Sequence, residues 1–129
     1  MNKMSVEPIK AVNGVPFGTD REKVRSELSS EYTEFKKSKF SKNTADDCKL
    51  FHVFYDSNNN FQAVETFGDI PVVVGDIDVF SLKVTELHLL SGDFIEDQGS
   101  YVSVEKSIGV TFENGTITSV LFGCPKYYE

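Results

Sequence analysis

Two stretches of this chain repeat one pattern, and that repeat narrows the possible folds more than any other feature of the sequence. Residues 53–64 read Val53-Phe54-Tyr55-Asp56, a polar turn, then Phe61-Gln62-Ala63-Val64. Residues 110–120 read Val110-Thr111-Phe112-Glu113, a turn through Asn114-Gly115, then Ile117-Thr118-Ser119-Val120. Each is an apolar–x–aromatic–acid strand, a turn rich in Asn or Gly, and a strand with apolar residues three apart. Each also follows, some way upstream, a segment with the marks of a helix. One helix-plus-hairpin unit cannot bury its apolar face alone, so two copies must share a core.

Thr19-Asp20-Arg21-Glu22 has the form of a capping box, with the Thr19 hydroxyl accepting from the Glu22 amide and the Glu22 carboxylate reaching back. Val24 and Leu28 follow on one face, so the spacing predicts a helix of about three turns over 19–30. Ser81 can cap a second helix over 82–90, with Leu82, Glu86, Leu87, Leu89 and Leu90 preceding the stop at Ser91-Gly92. Ile9–Val12 predicts a short strand before Asn13-Gly14. Residues 71–74 and 77–80 predict a hairpin around Gly75-Asp76, and Tyr101–Ser103 another strand. Between Phe35 and Asp47 the periodicity dissolves among Lys36, Lys37, Lys39 and Lys42, which predicts a polar connection or an edge strand that charge protects from pairing. The expected fold is α+β: an antiparallel sheet of about seven strands with two helices on one face. It is expected to be a single domain over 1–129, with unit one at about 9–67 and unit two at about 80–123.

The chain has 129 residues, enough for one domain with a core of its own. Net charge is −7, and the excess acid lies in one half. Residues 1–64 hold 10 Lys+Arg against 9 Asp+Glu, whereas residues 65–129 hold 3 against 11. Such a half repels phosphate backbones, so a nucleic-acid partner is not expected. A basic protein would be attracted and steered by it. No apolar run suits a signal peptide or a membrane span, which predicts a cytoplasmic protein without membrane contact. Cys48 and Cys124 stand far apart with no metal-ligand spacing, so reduced, buried thiols are expected.

Phe17-Gly18-Thr19-Asp20-Arg21-Glu22-Lys23-Val24 resembles the helix start of the SmpA/BamE lipoproteins, in which a Gly-x-Ser/Thr-x-x-Glu-Val segment caps a helix packed on an antiparallel sheet. The doubled unit is similar to the tandem-repeat form of that theme, the β-lactamase inhibitor protein fold. Size, charge and the hairpin style also resemble small bacterial immunity proteins that neutralise a toxin. The chain lacks the lipoprotein signal and lipidated cysteine, and its second helix start lacks the Gly-Thr-x-x-Glu form. The resemblance implies a fold and a tendency toward protein binding, and no functional residue of these families maps onto this chain.

The readable catalytic and cofactor signatures, G-x-S-x-G, H-E-x-x-H, the P-loop and G-x-G-x-x-G, are all missing. No catalytic residue, cofactor or metal is therefore assigned. Asp93, Glu96, Asp97 and Glu105 gather around one loop, but the D-x-D-x-D-G pattern of a calcium loop is absent. The leading expectation is a non-catalytic protein-binding domain of the immunity or inhibitor type, covering a basic partner with its acidic C-terminal half. Asp93, Glu96, Asp97, Glu105 and Glu113 are the expected charge contacts, with Tyr101 and Tyr128 as apolar anchors. The alternative is a small enzyme or ligand binder with a pocket near Cys48 and His52, which would share a face if 48–54 were one strand. A homodimer through an edge strand is a third option.

Overall fold

The computed structural model describes residues 2–129. Its largest element is an eight-stranded antiparallel sheet. Two meanders of four strands make it. The first comprises β4 (Thr33–Phe35), β5 (Ala45–Asp47), β6 (Phe51–Tyr55) and β7 (Phe61–Thr66). The second comprises β10 (Ile95–Asp97), β11 (Ser100–Ser103), β12 (Ile108–Glu113) and β13 (Thr116–Gly123). They meet where β7 pairs β13, and the register is symmetric about the Glu65–Leu121 pair: Thr66 faces Val120 on one side and Val64 faces Phe122 on the other.

The symmetry reaches individual residues. Val53 faces Val64 and Val110 faces Val120, and each meander slips register at the same place, between Phe54 and Tyr55 and between Thr111 and Phe112. Such bulges re-aim the next side chain. The extra residues are Gln62 and Thr118, and the bulges turn Phe61 and Ile117 toward the core despite their odd spacing from Val64 and Val120 along the strand. Asn114 and Gly115 both take positive φ, the backbone that a two-residue hairpin loop requires.

A second, smaller sheet carries β1 (Met4–Glu7), β2 (Ala11–Val12), β3 (Val15–Pro16), β8 (Val72–Val74) and β9 (Ile77–Asp78), in the order β3-β2-β1-β8-β9. Strand β8 lies parallel to β1, so this sheet draws on both halves of the chain. It packs with the helix α1 (Arg21–Glu27) on one face of the large sheet. Phe51, Phe61 and Phe122 are almost wholly buried there with Met4, Val12 and Val72. Each phenylalanine contributes about 1.5–3 kcal/mol by burial. The opposite face, hereafter the open face, has a small cluster of Ala45, Phe54, Ala63 and Leu121, with Phe35, Tyr127 and Tyr128 packed on it.

The α+β expectation of two helices on one face is corrected: strand makes up 41% of the chain and helix 12%, so the fold is mainly β. The tandem helix–hairpin unit goes with it, because what is doubled is a meander of strands. Helix α1 is short. Its cap is Asp20, whose carboxylate accepts from the Lys23 amide at 3.3 Å, while the Thr19 hydroxyl donates to the Pro16 carbonyl. Ser29 and Ser30 stop it, since Ser29 Oγ donates to the Glu31 carbonyl instead of supporting another turn. The second predicted helix is a 3-10 segment, Val84–Leu89, preceded by a 3-10 turn at Val79–Ser81. Ser81 does not cap it: Ser81 Oγ donates back to Asp78. The segment opens on β-branched Val84-Thr85, which disfavour the α-helix, and it has no buried ion pairs such as those that hold α1 to the sheet. The extra strands β4, β5 and β10 are short, with β4 and β10 at the two edges and β5 next to one of them, and gain their pairing from neighbours rather than from propensity.

Candidate functional site

The two meanders end differently, and the difference defines the site. At the outer end of the first, Glu34, Asp46 and Val53 stand in one row across β4, β5 and β6, on the face that bears the core. Asp46 is only 1% exposed. Arg21 Nη2 donates to its Oδ1 at 2.9 Å, Arg25 Nε to its Oδ2 at 2.8 Å, and Tyr55 Oη to Oδ2 at 2.9 Å. Glu34 adds ion pairs to Arg25 at 3.3 Å and Arg21 at 3.6 Å. Arg21 lies 4.3 Å over the Tyr55 ring and Arg25 3.9 Å over Tyr32. Arg21 also reaches Thr44 and Asn59, tying the lysine loop and the first hairpin turn to α1.

Burial alone would push the Asp46 carboxyl up, but hydrogen bonds from Arg25, Arg21 and Tyr55 outweigh it and hold the group below the usual carboxylate range. The hydrogen bond with Asp46 raises Arg25 in turn. Burial and the same carboxylate raise Tyr55.

The equivalent row of the second meander is Glu96, Tyr101 and Val110. Here the 3-10 segment stands in the chain position of α1, and it extends no arginine. Glu96 receives only the Tyr101 hydroxyl, at 3.3 Å. Tyr101 and Phe112 meet edge-to-face with centroids 5.7 Å apart and stay half-buried, where Asp46 and Tyr55 are covered. Among the described residues every ion pair lies between residues 21 and 52, so no carboxylate of the acidic half is paired.

The seven residues expected from sequence are divided among several places. Glu96 and Tyr101 share the core-bearing face of the outer hairpin. Asp97 follows Glu96 and so turns to the open face, beside Ile95, which is 68% exposed. Glu113 follows Phe112 and turns the same way. Asp93 is structural: it accepts from Ser103 Oγ, from Ser91 Oγ at 2.7 Å and from the Glu105 amide at 2.9 Å. Those bonds, the one from Ser103 first, bring its carboxyl down to about 2. Glu105 is exposed at the opposite end of β11 from Asp97. Tyr128 lies on the open face, against Gly109. Tyr127 lies against Gly123, where a Cβ would stand 2.6 Å from the ring. Neither glycine has positive φ, so each is there for close approach.

Cys48 and His52 are not brought together. A turn through Lys49, at φ 73°, intervenes before β6, and Cys48 joins the main core. Burial pushes its thiol up to about 11, away from nucleophilic use. Its side of the molecule has a depression of about 510 Å³ between the end of α1 and residues 48–51. His52 lies on the open face between Phe35 and Phe67, with ring centroids 4.8 and 4.9 Å away. The lysine loop overhangs a groove of about 360 Å³ there, with Lys37 Nζ 4.6 Å from the centre of Phe54. Among the described residues no three or more His, Cys, Asp or Glu side chains converge as a metal site requires, and no helix is long and apolar enough to cross a membrane.

Sequence reasoning missed Arg21, Arg25, Asp46 and the row they complete. The available signal was the spacing of Arg21, Val24, Arg25 and Leu28, which puts both arginines on the side of the helix that the apolar residues bury. Comparison with family models, with curated proteins and with solved structures finds no match to this chain.

Proposed function

We propose that the chain is a non-catalytic protein-binding domain that presents the outer end of its second meander to a basic partner. One observation carries this reading. The acidic half holds 11 Asp and Glu against 3 Lys and Arg, and none of these carboxylates has an ion-pair partner among the described residues. The first half pairs Asp46, Glu34 and Glu22 with its two arginines, whereas the second half has no ion pair among the described residues. Complementary charge of this kind speeds encounter and fixes register more than it adds affinity.

The test is affinity capture from a native extract with the wild-type protein and with Glu96→Lys/Asp97→Lys. A basic protein retained by the wild type should be released by salt and lost by the variant, with a slower on-rate that responds less to ionic strength. Retention of the same protein by the variant at an unchanged on-rate would rule the reading out.

A further inference from the structure

The internal symmetry of the sheet says what kind of element the second meander lacks. Register places Glu96 where the first half has Glu34, Tyr101 where it has Asp46, and Phe112 where it has Tyr55. In the first half a helix lies over that row, with Val24 and Leu28 in the core and Arg21 and Arg25 on the carboxylates and the rings. In the second half the equivalent chain position holds only the 3-10 segment Val84–Leu89, whose Leu87 enters the core and which extends no cation toward Glu96. Val84 and Leu89 of that segment are 39% and 52% exposed, and His88 turns back to bond the Thr85 carbonyl of its own turn.

We infer that the core-bearing face of the β10–β11 hairpin is a docking surface for a helix of a partner protein that carries two arginines one turn apart, seated there as α1 is seated on the first meander. The inference rests on the protein-binding reading above and names the partner's contact element. Charge complementarity selects arginine. Glu96 has no cation, and the half-buried rings of Tyr101 and Phe112 offer the flat surface on which guanidinium groups stack, as Arg21 does on Tyr55. Lysine would supply the charge but not the planar fork. The chain's own α1 cannot serve, because both of its arginines are held by Asp46.

The probe is a synthetic peptide of residues 19–30, locked helical by a side-chain lactam, titrated into the isotope-labelled full chain and followed by amide shifts. The expected result is saturable shifts centred on Glu96, Tyr101 and Phe112, with affinity falling about tenfold between low and high salt. Glu96→Gln in the protein, or Gln at both arginine positions of the peptide, should weaken binding about tenfold as well. Glu96 is exposed, so its variant should fold normally. Absence of shifts at millimolar peptide overturns the proposal. So do shifts centred on the lysine loop or the open face, or binding indifferent to the arginines. Capture of a basic partner that is lost with Glu96→Lys/Asp97→Lys, combined with a silent peptide, would leave the protein-binding reading standing and remove only this inference.

Discussion

The first meander ends in a buried carboxylate held by two arginines, and the second ends in an aromatic pair with a carboxylate left in solvent. The backbone is the same in both: four strands, the same bulge position, the same row across the sheet. Difference in covering element decides the chemistry. Where a true helix crosses the row, a charged residue can be buried, because two guanidinium groups and a phenol satisfy it. Where only a 3-10 segment is present, the equivalent position carries Tyr101, which needs no such partner. A buried ion pair is costly to break even where it adds little net stability, so the first end is held together by its charges, whereas Glu96 at the second has no ion-pair partner among the described residues.

The sharpest way to break this contrast is Asp46→Ala. It leaves two buried guanidinium groups without their acceptor and should cost about 3–5 kcal/mol in urea denaturation. A cost below about 1 kcal/mol would mean that apolar packing, not the charge network, fixes α1 to the sheet.

A second contrast lies on the open face. The register that equates Val53 with Val110 also equates His52 with Gly109 and Phe67 with Gly123. The first meander covers that face with its own rings, and the second yields its side chains to Tyr127 and Tyr128. Gly123→Ala should therefore cost about 1–3 kcal/mol by displacing Tyr127. Adding Tyr127→Ala to Gly123→Ala should then cost less than Tyr127→Ala alone does in the wild type. Additive costs in that double-mutant cycle would show that the glycine serves some other need.

Acid should expose both ends, each through one carboxylate held below its ordinary value. Asp46 and Asp93 bind fewer protons folded than unfolded around pH 4 and below, so the stability they contribute is complete above about pH 4 and is lost as pH falls through their folded values. For Asp93 the window runs from about 4 down to about 2. Asp93→Asn should lower the urea midpoint near neutrality and flatten its fall with pH in that window, so that the variant and the wild type converge in acid. A slope equal to wild type would remove Asp93 from the account of the second meander.

What could be read in the sequence follows the same division. The central hairpins were legible because their turns and alternation are local: Asn114-Gly115 specifies its own backbone, and Phe51, Val53 and Val64 announce a buried strand face. The outer strands were not. Ala45-Asp46-Asp47 is a poor strand by propensity, and Asp46 stands in one only because arginines from a helix some twenty residues earlier meet it there. The second helix fails for the opposite reason: its leucines have helical spacing, but it opens on β-branched Val84-Thr85 and lacks the buried ion pairs that hold α1. Charge and ring area single out Glu96 and Tyr101 in the sequence, yet the reason they share a face is a hairpin register that no single residue displays. Charge singles out Asp93 as well, but its carboxylate is a bracket between the Ser91 turn and the β11–β12 loop.

The smallest effect discriminates most finely. Glu34 and Glu96 occupy equivalent places on equivalent edge strands, both largely in solvent. The hydrogen bond from Thr44, with the nearby arginines, lowers the Glu34 carboxyl. Glu34→Gln should therefore destabilise the chain measurably, and added salt should shrink the difference from wild type. Glu96→Gln should change the free energy of unfolding in urea by less than about 0.5 kcal/mol, and salt should not alter the difference. If Glu96→Gln were instead the costlier of the two, its carboxylate would already be engaged inside the fold. The second meander would then have no free charge to offer, and its likeness to the first would hold for the strands alone.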